Sequence, residues 1–280
     1  MSEPEAPDAP PEIGHAPEPV TRTGPDAETE PVTRTGPEHT GSVASRRLGV
    51  AALVGLAAVL LFGLVISPPE VNQRDAARLL YVHLPSIAVM YSAFLITLVG
   101  SAIHLRNGSQ FWDLLAGAAA EIGVLFCGLT LATGMLWGKP TWGVYWEWDP
   151  RLTSTAVMFV MYLGYLAVRR LELPPQVRSR RAAVLGIVSF ANVIIVHYSV
   201  EWWRGLHQGR TIGIDTQIDG MMLFTLFLSL VAFLVTFAWL LLHRFRVAWL
   251  QAQVEEQGLA VALAERRAET EPTGRVGGNT

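Results

Sequence analysis

Residues 137–153 read W-G-K-P-T-W-G-V-Y-W-E-W-D-P-R-L-T, and a long apolar run abuts this stretch on each side. Four of the chain's nine tryptophans lie in it. Tryptophan and tyrosine gather at membrane interfaces, where the ring sits in the apolar margin and its polar atom reaches water. An anchoring belt of that kind uses roughly one or two rings per helix end. The density here leaves two readings open: an interfacial belt, or an aromatic platform on which a large, planar, apolar ligand lies.

Composition places the stretch in a membrane protein. The chain of 280 residues is 51% hydrophobic and only 16% charged, and the charges sit between and beyond long uncharged runs. A window of about 20 residues, enough to cross about 30 Å of hydrocarbon, yields six spans at 48–67, 84–105, 114–136, 153–168, 182–199 and 220–242. The expected fold is therefore an all-α integral membrane protein with six transmembrane helices. The first run begins too late and is too long for a signal peptide.

Arginines set the expected orientation. Arg46, Arg47, Arg106, Arg169, Arg170, Arg178, Arg180, Arg181, Arg244 and Arg246 flank the spans on one side. The opposite segments, 68–83, 138–152 and 200–219, hold Arg74, Arg78, Lys139, Arg151, Arg204 and Arg210. The positive-inside rule makes the richer side cytoplasmic, with both termini inside. The tryptophan segment then faces outward.

Residues 1–47 carry nine acidic residues against four arginines and no apolar periodicity. Such a tract cannot bury enough surface to offset chain entropy, so a disordered tail is expected. Its heptad P-V-T-R-T-G-P, at 19–25 and again at 31–37, is too short to imply a solenoid. Three regions follow: the tail 1–47, the six-helix domain 48–246 with its outward loop 137–152, and the segment 247–280. Residues 247–268 are expected to prolong the sixth helix as a solvated or partner-binding extension, ahead of a Gly-rich end.

Cys127 is the only cysteine, in the third span, where a free thiol packs as a small hydrophobe. There is no C-x-x-C-H, so any haem is held without thioether bonds. Of seven histidines, His15 and His39 fall in the tail, and His104 and His243 at cytoplasmic helix ends. His83, in R-L-L-Y-V-H-L-P, and His207, in W-W-R-G-L-H-Q-G, come from the two outward segments flanking the tryptophan loop in the chain. His197, in V-I-I-V-H-Y-S-V-E-W-W, lies nearer the membrane. Imidazoles from two loops above an aromatic platform suit a macrocycle with a central iron, with arginines meeting carboxylates at its edge. Taken one at a time, each histidine also fits a hydrogen-bonded interface residue. Zinc is less suited, because the loops offer no cysteine and no H-x-x-x-H pair. Glu121, in the third span, is expected to be a protonated carboxyl bonded across the bundle, beside close-packing Gly117 and Gly123.

The stretch at 137–154, taken with Y-V-H-L-P and H-Y-S-V-E-W-W-R-G-L-H-Q-G, resembles the tryptophan-rich WWD signature of haem-handling proteins, and more narrowly the CcmC family, haem exporter protein C of cytochrome c maturation. The likeness covers about 48–242. It implies a bacterial inner-membrane protein that holds haem b non-covalently, as transient cargo, at its periplasmic face, and passes it to the haem chaperone CcmE with no turnover of its own. His83 and His207 map onto the family's axial ligands. Trp137, Trp142, Trp146, Trp148 and Asp149 map onto its platform, Arg78 and Arg151 onto its arginines, and His197 onto a histidine given a structural or supporting role. Implied partners are the ATP-binding-cassette transporter CcmA and CcmB, the small subunit CcmD and membrane lipid, with no nucleic acid. A haem lyase of the CcmF or CcsA type shares the signature, but has more helices and extra histidines inside the membrane. Tyr145 and Pro150 depart from the usual pattern, which puts local loop geometry in question.

Overall fold

The computed structural model describes residues 42–203, 205, 207 and 219–270. The tail before residue 42, the end after residue 270, Arg204 and Arg210 lie outside them, and so do the expectations made for those parts. Six helices follow in order: α1 (Val43–Leu61), α2 (Leu80–Asn107), α3 (Gln110–Trp142), α4 (Pro150–Val168), α5 (Pro175–Trp202) and α6 (Gly220–Thr270). A π turn over Phe62–Ile66 continues α1, and a 3-10 turn over Asp75–Leu79 leads into α2. There is no strand among the described residues, and all six helices are long and apolar enough to cross a membrane.

Helix ends explain where the boundaries differ from the apolar runs. The Ser42 hydroxyl caps α1 by accepting the Ser45 N–H at 3.3 Å, so Arg46 and Arg47 are helical and do not belong to the tail. The segment 137–152, expected as a loop, is mostly helix: α3 runs to Trp142 and α4 starts at Pro150. Pro140 removes one ladder bond without ending α3. The helix stops at Gly143, whose φ of 82° accommodates a left-handed cap, with its N–H donating to the Lys139 carbonyl at 3.0 Å. At 33 residues, α3 is about 50 Å long, so it extends past the hydrocarbon and carries Trp137 and Trp142 on a rigid rod. The expected helical extension is present, since α6 continues unbroken to Thr270.

Small residues let the helices approach closely, as lipid-embedded packing requires. α2 packs most extensively on α3, and α1 on α6. The rings of Phe94 and Tyr162 stack at 3.6 Å and 6° in the core. Gly123 sits against Phe94, where a methyl would come within 2.5 Å of the ring.

Two ion pairs tie the opposite half of α3 to its neighbours. Arg169, capping α4, donates to both Asp113 oxygens at 2.6 and 3.0 Å. Gly117 leaves room for that guanidinium. Arg244 of α6 donates to both Glu121 oxygens. The carboxyl of Glu121 thus bonds across the bundle, as expected, and its partner is a guanidinium.

Gly123→Ala should lower the thermal unfolding midpoint in detergent by an amount matching about 1–3 kcal/mol of overpacking, because Phe94 is held by its stacked partner. Gly128→Ala, whose methyl would meet Phe159 at an ordinary 3.4 Å, should leave the midpoint nearly unchanged.

Candidate functional site

At the end of the bundle where α2 begins and α5 ends, a cavity of about 250 Å³ opens among α2, α3, α4 and α5. Its wall includes His83, Tyr91, Thr130, Arg151, His197 and His207. Two of the residues expected as ligands, His83 and His207, thus face one space although 124 positions apart by numbering (207 minus 83). Arg151 lies beside them.

His83 stands in the first turns of α2. Its Nδ1 is 2.9 Å from the Thr133 hydroxyl on α3. That hydroxyl donates its own proton to the Leu129 carbonyl at 2.7 Å, so toward His83 it accepts. Nδ1 therefore carries the ring proton, and Nε2 keeps its lone pair for a ligand. Gly134 makes the approach possible, since a methyl there would lie 3.2 Å from His83 Cε1.

His207 is held in the same manner by a carboxylate. Its Nδ1 donates to Asp149 Oδ1 at 2.7 Å. Asp149 is buried at the start of α4, where Oδ1 also accepts the Arg151 N–H at 2.9 Å as an N-cap, with Pro150 in the first helical position. Pro150 is accordingly the residue this helix start favours. Gly205 packs so closely that a methyl would fall 2.1 Å from Asp149 Oδ2, so any side chain there displaces the carboxylate.

Burial draws His207 below the ordinary histidine value; the Asp149 carboxylate opposes this, and Arg151 adds to it. For Asp149, burial alone would raise the value, yet the His207 imidazole and the N–H groups of Arg151 and His207 outweigh it and hold the carboxyl below its usual range. His207 is thus neutral at pH 7, a state in which Nε2 can bind a metal.

The four indoles of the segment split into two pairs. Trp137 meets His83 edge-on at 5.8 Å and 82°, its N–H donating to Gln73 Oε1 at 2.8 Å. Trp142 packs on His207 at 4.7 Å and 68°. Trp146 and Trp148 pair at 5.5 Å and 87° outside the cavity wall, with Trp148 77% exposed. The rings do not form one flat floor; two brace the histidines and two stand free of them. Arg78 is turned elsewhere, to Asp75 at 2.9 Å and to the Gly63 carbonyl. His104 Nδ1 donates to the Ser109 carbonyl at 2.9 Å at the far end of α2, and His243 packs on Trp239. Buried Cys127 faces the Thr155 carbonyl at 3.9 Å.

The chain matches the family profile described as Heme exporter protein C over residues 37–260. It belongs to that family. Proteins called Heme exporter protein C from Bradyrhizobium diazoefficiens, Haemophilus influenzae and Escherichia coli are 36%, 34% and 35% identical to it. The matches cover 78%, 71% and 71% of this chain and 83%, 82% and 81% of those proteins. Together with the six spans, membership makes this a multi-pass membrane protein. Thr133, Gln73, Gly134, Gly205, Tyr91 and the cavity position of His197 were not singled out from the sequence. A threonine or glycine carries no motif of its own, and only its contact with a histidine gives it a role.

Asp149→Asn should lower the His207 pKa further, because the carboxylate that opposes burial is gone. Histidine-labelled NMR titration of the ligand-free protein in detergent measures this shift; an upward movement would contradict the geometry.

Proposed function

We propose that this chain binds haem at the mouth of the cavity and delivers it during maturation of c-type cytochromes. The observation that carries the reading is the matched pair of imidazoles, His83 and His207, with both Nδ1 atoms occupied by protein partners and both Nε2 atoms left for one ligand. That is how proteins orient metal-binding histidines, and histidine nitrogen is a common axial ligand of haem iron. Membership in a family whose relatives are called heme exporters supports it.

The cargo is haem b held without covalent attachment, because the lone thiol is buried and forms no haem-attachment motif. The cavity is below the roughly 300–1,000 Å³ of usual ligand pockets, so the macrocycle projects from it. Arg151 supplies a cation at the wall for a propionate. Trp146 and Trp148 offer aromatic surface outside, and Trp137 and Trp142 fix the two imidazole planes. Neutral His207 binds iron without first losing a proton, so haem capture needs no titration near pH 7.

The cavity faces the periplasm of a bacterial inner membrane, a reading supported by the ten-to-six asymmetry of basic residues. The haem passes to the chaperone CcmE. The ATP-binding-cassette pair CcmA and CcmB and the small subunit CcmD act with this chain, which holds and hands on haem without transforming it. In this reading the haem-binding unit is the six-helix domain, expected over 48–246 and begun in the structure by α1 at Val43.

His83→Ala and His207→Ala should each remove most of the haem Soret absorbance from purified protein, while His104→Ala and His243→Ala keep it. Wild-type spectra in both of the first two variants would refute the ligand pair. Asp149→Asn should weaken haem binding about 10–100-fold, with the protein still folded. A topology reporter fused at Gly143 should signal from outside the cytoplasm, and a cytoplasmic signal there would reverse the orientation.

A further inference from the structure

We propose that His197 is a second iron-binding nitrogen of the same cavity, taken up by haem in passage through a lateral opening between α2 and α5. The proposal rests on the haem reading above and adds a station to it.

His197 lines the cavity together with His83 and His207, and it is also exposed on the outer face of α5. Because His197 belongs to both the wall and the outer face, the lateral opening is placed at this ring. Its α5 neighbours Ile194 and Ile195 are 48% and 36% exposed, as on a helix face turned to lipid. The opening is therefore apolar around a single imidazole, which suits a ligand with an iron centre and a hydrophobic rim.

Depth separates the two stations. Tyr91, which the His197 ring meets at 6.2 Å and 63°, lies eight positions further along α2 than His83 (91 minus 83), about 12 Å along the helix. The cavity thus runs from the helix ends, where His83 and His207 stand, inward to Tyr91 and His197. Among the described residues, no three of histidine, cysteine, aspartate and glutamate converge on a metal ion. His197 does not complete a fixed centre with the other two; it serves a different position of the iron.

The imidazole is also unspent. Its ring contacts are aromatic, with Tyr91 and with Tyr198 at 4.9 Å and 84°, and neither nitrogen has a hydrogen-bond partner among the described residues. His83 and His207 each commit one nitrogen to the protein and are fixed; His197 commits none and can turn. A polar ring carried within a membrane span without such a partner marks a functional position. In passage the iron–nitrogen bond at His197 breaks as one at His83 or His207 forms. One nitrogen lone pair replaces another at the iron, so no electron is transferred.

The test uses the full-length protein in lipid nanodiscs with added ferric haem, in His83→Ala and His207→Ala backgrounds, each with and without His197→Phe. Phenylalanine keeps the ring between Tyr91 and Tyr198 and removes only the nitrogens. In at least one background the single variant should retain a haem fraction ligated by a histidine at the inner position. His197→Phe should remove that ligation signature and weaken residual haem binding about tenfold or more, and added imidazole should restore it. In otherwise unaltered protein, His197→Phe should slow haem loading from lipid several-fold. Identical spectra, affinities and loading rates with and without His197→Phe would overturn the second station. Haem binding unchanged by His83→Ala and by His207→Ala would instead overturn the reading on which it rests.

Discussion

The Asp149 carboxylate, buried at the head of α4, accepts the Arg151 N–H that would otherwise be unsatisfied at the helix start, and accepts the His207 Nδ1 proton as well. An N-cap of this kind is worth about 1 kcal/mol to the helix, a modest sum. Its larger consequence is geometric. Because the cap fixes the carboxylate to α4, the histidine from the segment after α5 is held to α4 too, beside the cavity. Gly205 has to be glycine for the same contact to close. Helix start, histidine tautomer and cavity wall all depend on one side chain.

α3 is the element against which the rest is arranged. One end holds Asp113 and Glu121, which meet guanidinium groups from the end of α4 and from α6. The other end holds Thr133, Gly134 and Trp137, which fix and accommodate His83. The Asp113–Arg169 pair is mostly buried, and removing one partner of such a pair typically costs about 3–5 kcal/mol because the other charge is left uncompensated. A helix anchored so firmly at one end is a rigid mount for a site at the other. Its stripe of glycine and alanine brings α2 close enough for the histidine–threonine hydrogen bond to form.

Six spans were legible in the amino-acid order because hydrocarbon thickness imposes a length on every crossing, and apolar runs of that length are visible without knowing their neighbours. The tryptophan segment was legible as an aromatic cluster between two spans but read as a loop, whereas α3 runs through Pro140 to Trp142 before Gly143 caps it. Glu121 was legible as a carboxyl bonded across the bundle, but its partner Arg244 stands 123 residues away, and nothing local pointed to it. Arg78, expected near the ligand, is claimed by Asp75 and the Gly63 carbonyl, a competition that spacing does not reveal.

Sequence by itself determined that this is an all-α membrane chain of six spans, that His83 and His207 stand in corresponding positions around an aromatic segment, and that the chain resembles haem-handling proteins. Those properties are carried by composition, run length and contiguous motifs. Tertiary structure alone decided which nitrogen of each histidine is spoken for, which indoles brace them, and that His197 shares their cavity. Each of those depends on a contact between helices distant in the chain, such as Thr133 with His83 or Asp149 with His207. The direction of a hydrogen bond across a helix interface is set by packing, which a linear order of residues does not contain.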